Sequence, residues 1–110
     1  MASYLVQASY TSEALVSLMK NPENRTEVVK KVAKKLGGKL SASWLSFGEY
    51  DLVMVVEMPD NVSMASFAIA AAAGGSLKAV KTTPLMSTDD AMSAVKKATT
   101  SGYRPIGAKK

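Results

Sequence analysis

The chain has 110 residues, of which 47% are hydrophobic and 21% charged, and this size and composition predict one globular domain with a single core. It contains no cysteine and no histidine, which excludes disulfides, thiolate or imidazole metal ligation, and serine–histidine or cysteine–histidine catalysis. The net charge of +5 falls to a balance of 11 basic and 9 acidic side chains over residues 1–101, so the charge gives little support to a nucleic-acid interaction.

The first third of the chain predicts a strand followed by a split helix. Residues 3–10 alternate in part between apolar and polar side chains, which indicates a strand. Thr11 supplies a hydroxyl cap for a short helix, and the Asn-Pro-Glu sequence at 21–23 breaks that helix and starts a second one. The second helix is expected to end at Leu36, because the glycine pair 37–38 favours left-handed conformations.

The second helix carries a lysine face opposite its apolar stripe. Its members are Lys30, Lys31, Lys34 and Lys35. Such a face can contact phosphates. A solvated surface is the favoured interpretation, because Glu27 can pair with Lys31 and no aromatic side chains interleave with the lysines.

The middle of the chain predicts a hairpin of two strands, residues 39–46 and 51–57. The short link between them is expected to turn at Gly48, which takes a positive φ. The second of these strands is apolar on both faces over residues 52–56. Since a strand covered on one side should alternate, both faces of its sheet are expected to be buried.

The last third predicts a helix, a strand and a further helix. Residues 61–73 form a helix without any charged side chain, so we expect it to pack on more than one face. Residues 77–83 form the fourth strand, which Pro84 is expected to close. Residues 87–90 resemble a capping box and begin the final helix.

The element order β-α-β-β-α-β, with a split first helix and an extra C-terminal helix, predicts an α+β domain of ferredoxin-like topology. Its sheet is expected to be four-stranded and antiparallel, with the first and third strands in the centre and the helices on one face. A second subunit packing sheet to sheet is the expected cover for the other face. The domain is expected to span residues 1–100, followed by a flexible basic tail at 101–110.

The localisation is expected to be cytoplasmic. Residues 1–6 have no basic region and no long apolar run, which argues against a signal peptide. The longest uncharged stretch, residues 61–77, contains three serines and is too short and too polar for a membrane span.

The hairpin sequence at residues 47–53, Phe-Gly-Glu-Tyr-Asp-Leu-Val, carries a resemblance to a known family. Together with the split first helix and the sequences at 36–40 and 80–85, it resembles the GYD family of small bacterial and archaeal proteins. The residues that give the family its name are matched by Gly48, Tyr50 and Asp51. This resemblance implies a ferredoxin-like fold of the dimeric α+β-barrel type, and no established reaction.

The same hairpin supplies candidate ligand-binding residues. They are Trp44, Glu49, Tyr50 and Asp51, with Lys81 as the positive partner for an acidic ligand. A carboxylate beside a phenol can orient a polar ligand or act as a general base. The alternative is a purely structural turn, in which Gly48 bends the chain and Asp51 bonds to nearby backbone, and this interpretation has a sufficient local explanation.

Three functions are compatible with these features. The favoured one is a non-catalytic oligomer that binds itself and a small polar or acidic molecule or a partner, in a regulatory role. The second is a cofactor-independent enzyme of the α+β-barrel type with Asp51 or Glu49 as base. The third is nucleic-acid binding through the lysine helix and the tail. No cofactor, metal or membrane is expected, and nucleic acid is not an expected partner.

Overall fold

The computed structural model describes residues 1–107 and confirms the ferredoxin-like α+β fold. Four strands form one antiparallel sheet in the order β2-β3-β1-β4, so β1 and β3 are central, as predicted. The elements are β1 (Ala2–Tyr10), α1 (Ser12–Lys20), α2 (Arg25–Lys35), β2 (Lys39–Leu45), β3 (Leu52–Met58), α3 (Asn61–Ala73), β4 (Leu77–Leu85) and α4 (Thr88–Ala98).

Each helix begins at a side-chain cap, because the first backbone N–H groups of a helix have no partner within it. Thr11 and Ser87 cap α1 and α4, as predicted from their hydroxyl groups. Asp60 caps α3 by accepting from the Ser63 N–H at 2.8 Å, and this backbone hydrogen bond lowers the pKa of the Asp60 carboxyl. The cap of α2 is Asn24 rather than Asn21, so this helix begins later than predicted.

One face of the sheet carries the core of the domain. Alternating residues of β1 and β3 contribute their side chains to this face, and α2 and α3 pack against them. The buried apolar residues of this cluster are Tyr4, Val6, Ala33, Met54, Val56, Met58, Met64 and Phe67. Each large apolar side chain buried here stabilises the fold by roughly 1.5–3 kcal/mol before entropy is subtracted.

The opposite, outer face of the sheet is also apolar at its centre. Leu5 of β1 lies directly across from Val55 of β3, and Val53 lies two residues away on the same face. These three side chains are half-buried, whereas their neighbours Met54 and Val56 on the core face are buried. The prediction that both faces are buried is therefore not met within a single chain.

The charge-free helix α3 packs on one side only. Met64 and Phe67 are buried against the sheet, while Val62 and Ile69 are 77% and 68% exposed. Within one chain α3 contacts chiefly the strands β3 and β4, so the prediction that α3 packs on more than one face is not met within a single chain. The remaining surface of α3 is uncharged and exposed, with Val62 and Ile69 as its large apolar side chains.

Strand β4 runs two residues further than predicted. Pro84 does not close it; Pro84 pairs with Tyr4, and the strand ends at Leu85. Proline has no N–H to donate, and this is tolerated because β4 lies at an edge of the sheet, where backbone groups on the outer side have no partner strand. The other edge strand, β2, is irregular between Leu40 and Ala42.

The two glycines after α2 serve different purposes. Gly37 ends the helix with a φ of +88°, as predicted. Gly38 does not have a positive φ, so the prediction of a left-handed pair is wrong for this residue. A β carbon on Gly38 would lie 2.5 Å from the Met58 Sδ and closer still to the Glu57 carbonyl oxygen. Gly38 is thus needed for the close approach of the chain to β3.

The C-terminal helix α4 packs loosely on the rest of the chain. None of its residues is buried, and Met92 and Val95 on its apolar side are 53% and 59% exposed. The radius of gyration is 18.0 Å, compared with roughly 13 Å for a compact domain of about 100 residues. Tyr103 is also exposed, and the tail lysines at 109–110 lie outside the described residues.

Among residues 1–107, every helix is too short or too polar to serve as a transmembrane span.

Candidate functional site

Asp51 ties the hairpin to the end of β1. Its Oδ2 accepts a hydrogen bond from the Tyr10 N–H at 2.9 Å, and its own N–H donates to the Ala8 carbonyl at 2.9 Å. Its carbonyl accepts from the Ser46 N–H at 2.7 Å. These three bonds support the structural interpretation of Asp51, since its carboxylate already has a backbone partner.

The neighbouring residues of the motif have different surroundings. The Ser9 hydroxyl donates to the Glu49 carbonyl at 2.6 Å, and the Glu49 side chain is exposed. Tyr50 is half-buried. Gly48 has a φ of +125°, as predicted, and an added β carbon there would meet nothing within 4 Å. The turn at Gly48 therefore requires glycine for its backbone conformation and not for space.

Trp44 and Lys81 lie in one row across the sheet but do not meet. Trp44 pairs with Val53, Val53 with Gln7, and Gln7 with Lys81. Three strand spacings separate the two outer residues, a distance of roughly 14 Å. Trp44 is 58% exposed. The structure thus does not bring Trp44 and the predicted cationic partner Lys81 together in one site.

A cavity of about 240 Å³ lies on the other side of the sheet, beneath α2 and α3. Apolar side chains of the two helices and the sheet form its walls. Those of the helices include Val28, Val29, Val32 and Phe67, and those of the sheet include Val6, Leu52, Met54 and Val80. We refer to this space as the crevice.

Polar groups gather at one end of the crevice. Tyr10 and Arg25 line the crevice and also both clefts beside it, one of which includes Trp44. The Arg25 Nη1 donates to the Glu23 Oε1 at 2.7 Å. Burial raises the pKa of the Tyr10 hydroxyl, an effect that the Arg25 charge opposes and the Asp51 and Glu23 charges reinforce. The hydroxyl is therefore protonated at neutral pH and can donate a hydrogen bond.

Sequence reasoning missed Tyr10, Glu23 and Arg25. Tyr10 ends β1 and Arg25 begins α2, so only the packing of α2 on the sheet brings them together. One signal was present in the sequence: an arginine at the first position of a helix opposes the helix dipole, which favours acidic residues there. Helix stability therefore does not explain the presence of Arg25 at the start of α2.

We expect Asp51→Ala to destabilise the fold by about 1–2 kcal/mol, because the Tyr10 N–H loses its acceptor. Asp51→Asn retains an oxygen acceptor and should lower the free energy of unfolding less. Urea titrations followed by circular dichroism measure both changes. An Asp51→Ala variant as stable as the parent would contradict the structural role of the carboxylate.

Within residues 1–107, no three acidic side chains come together in a way that could hold a metal ion.

Comparison with known proteins finds a matching family, a relative in sequence and a solved structure of similar fold. The model of the family described as GYD domain matches residues 4–95. A Thermus thermophilus protein named glutamine synthetase and cystathionine beta-lyase binding protein is 32% identical over 78 residues, which are 71% of this chain and 82% of that protein. The solved structure of TTHA0845, also from Thermus thermophilus, superposes with a TM-score of 0.52 at 13% identity, over 80% of this chain and 96% of that one. The last likeness concerns the fold alone.

Proposed function

The chain belongs to the GYD domain family, and on this basis we propose that it is a non-catalytic binding protein that forms a dimer and docks on partner proteins. The observation that carries the proposal is the pair of apolar surfaces that one chain leaves open. One is the outer face of the sheet, centred on Leu5 and Val55. The other is the exposed side of α3, with Val62 and Ile69.

The outer face of the sheet is the proposed dimer contact. Its central side chains are apolar on two adjacent strands, and a second copy laid sheet to sheet would remove them from water. The loosely packed α4 has an apolar side, with Met92 and Val95, that can extend this contact onto the second copy. We expect an interface above ~1,000 Å² in total, the range of specific associations.

The geometry gives less support to an enzyme that uses Asp51 or Glu49 as base than to a binding protein. A general base must lie within hydrogen-bond reach of a substrate held in a defined position. The Asp51 Oδ2 is engaged by the Tyr10 N–H, and the Glu49 side chain is exposed at the turn. Neither residue lines the crevice.

The exposed side of α3 is the proposed docking surface for a partner protein. Over residues 61–73 the helix has no charged side chain, and large exposed apolar patches commonly mark interaction sites. The name of the Thermus relative supplies candidate partners: a glutamine synthetase and a cystathionine β-lyase. We propose enzymes of these two kinds, from the same organism as this chain, as the partners to test.

We expect Ile69→Asp to weaken binding to the partner enzyme by about tenfold or more, because central apolar anchors dominate interface energies. Biolayer interferometry with the immobilised chain and each purified enzyme measures the effect. Ser12→Asp is the matched control, since it adds the same charge at the exposed start of α1 and should bind like the parent.

Two results would count against this assignment. Equal binding by Ile69→Asp and the parent would remove α3 as the docking surface. If neither enzyme binds the parent protein, the proposal that they are its partners is wrong.

A further inference from the structure

Small residues of α3 and its C-terminal end border the crevice. Ala70, Ala71 and Gly74 line it, where leucine or isoleucine would fill the space. Protein interiors are otherwise packed to the density of organic crystals, with few voids larger than a water molecule. The crevice volume of about 240 Å³ lies just below the range of roughly 300–1,000 Å³ that is typical of small-molecule sites. This space has the size of a small metabolite.

The walls and the mouth of the crevice have different chemistry. The walls are formed by aliphatic and aromatic side chains, so they favour an apolar ligand body. At the mouth, Arg25 and Tyr10 line both the crevice and the two adjacent clefts. Glu23 lines those two clefts rather than the crevice, and its Oε1 lies 2.7 Å from the Arg25 Nη1, so charges of both signs lie at this end. The Asp51 carboxylate, which also faces Tyr10, is engaged by the Tyr10 N–H.

The charges at the mouth restrict the head group of a ligand. Arg25 has five N–H donors, and one of its nitrogens, Nη1, donates a hydrogen bond to Glu23. A carboxylate can accept from the remaining guanidinium donors and from the Tyr10 hydroxyl, and an ammonium group can donate to the Glu23 carboxylate. A simple carboxylic acid would leave Glu23 without a cation from the ligand, and a simple amine would leave Arg25 without an anion. A zwitterion satisfies both.

We propose that the crevice binds an α-amino acid with a branched aliphatic or aromatic side chain, its charged head at Arg25 and Glu23 and its side chain among the apolar walls. This proposal goes beyond the docking function, because it concerns the opposite layer of the molecule from the dimer contact and a different surface of α3. A bound amino acid would fill the space between α2 and α3 and so couple ligand occupancy to the packing of α3.

Isothermal titration calorimetry with three probes of one skeleton tests the head group. L-leucine carries both charges, 4-methylpentanoate lacks the ammonium group and 3-methylbutylamine lacks the carboxylate. We expect leucine, or the larger L-phenylalanine, to bind saturably. Each of the two single-charge analogues should bind about tenfold or more weakly than leucine, since one charge-assisted hydrogen-bond set is lost. Equal affinity of leucine and 4-methylpentanoate, or no binding of either amino acid at millimolar concentration, overturns the proposal.

A pair of substitutions on α3 tests the location. Ala71→Leu fills the crevice and should abolish amino-acid binding while the melting temperature is kept or raised, because the cavity is replaced by side-chain contacts. Ala73→Leu adds the same group on the same helix at an exposed position outside the crevice and should bind like the parent. Unchanged leucine binding by Ala71→Leu overturns the assignment. Ala71→Leu is expected to dimerise and to bind the partner enzyme normally, so failure of this site and failure of the docking function are separable.

Discussion

We expect Val55→Asp to abolish the proposed dimer and leave a monomer. Val55 lies at the centre of the outer face, opposite Leu5 on the neighbouring strand, so a two-fold contact between sheets would bury one unpaired carboxylate from each copy. Burying an unpaired charge costs several kcal/mol, which corresponds to a loss of association of roughly a hundredfold or more. Light scattering at micromolar concentration measures the molecular mass directly.

The matched control for this substitution is Ile69→Asp, which places the same charge on the exposed side of α3. It should remain a dimer, while Val55→Asp should keep the far-ultraviolet circular dichroism of the parent and become a monomer. Val55→Thr, which preserves the shape and the β-branch, should stay dimeric. A monomeric parent protein, or a dimeric Val55→Asp variant, would show that the outer face is not the contact.

The second large effect is expected at Gly38. A methyl group there would overlap the Glu57 carbonyl oxygen and the Met58 sulfur, so the start of β2 must move away from β3. Met58 is fully buried in the core, and its displacement would disturb the packing around it. We expect Gly38→Ala to lower the free energy of unfolding by about 3 kcal/mol, the upper part of the range for overpacked sites.

Gly74→Ala is the control for this prediction. Gly74 has helical φ and ψ angles at the end of α3, and an added β carbon would make only ordinary contacts, the nearest at 3.5 Å. Its free energy of unfolding should be unchanged or raised by up to ~1 kcal/mol, because alanine restricts the unfolded chain. Urea titrations of both variants give the comparison. Equal stability of the two variants would mean that β2 adapts to the extra carbon without cost.

Local chemistry made most of the fold predictable. Helix starts at Thr11 and Ser87, the end of a helix at Gly37 and the turn at Gly48 each depend on one residue and its immediate neighbours. The strand order followed from the element order, because the β-α-β-β-α-β pattern restricts the topology. Residues whose role is set within a few positions of themselves are readable from sequence.

The features that sequence missed depend on contacts between distant segments. The spacing of Gly38 from β3 becomes visible only when the two strands are paired, and Pro84 is tolerated only because β4 lies at an edge. The candidate site shows the same limit. The motif at the hairpin drew attention to Asp51, while the crevice and its mouth at Tyr10 and Arg25 arise from how α2 and α3 rest on the sheet.

The irregular edges of the sheet have a consequence for how copies of this chain can associate. Unpaired edge strands invite further strands to add to them, which leads to open-ended fibrils. Here one edge contains Pro84, which cannot donate a bond to an incoming strand, and the other is irregular between Leu40 and Ala42. Both features discourage polymerisation in the plane of the sheet. The proposed dimer contact lies instead on the outer face of the sheet, where a two-fold contact closes at two subunits.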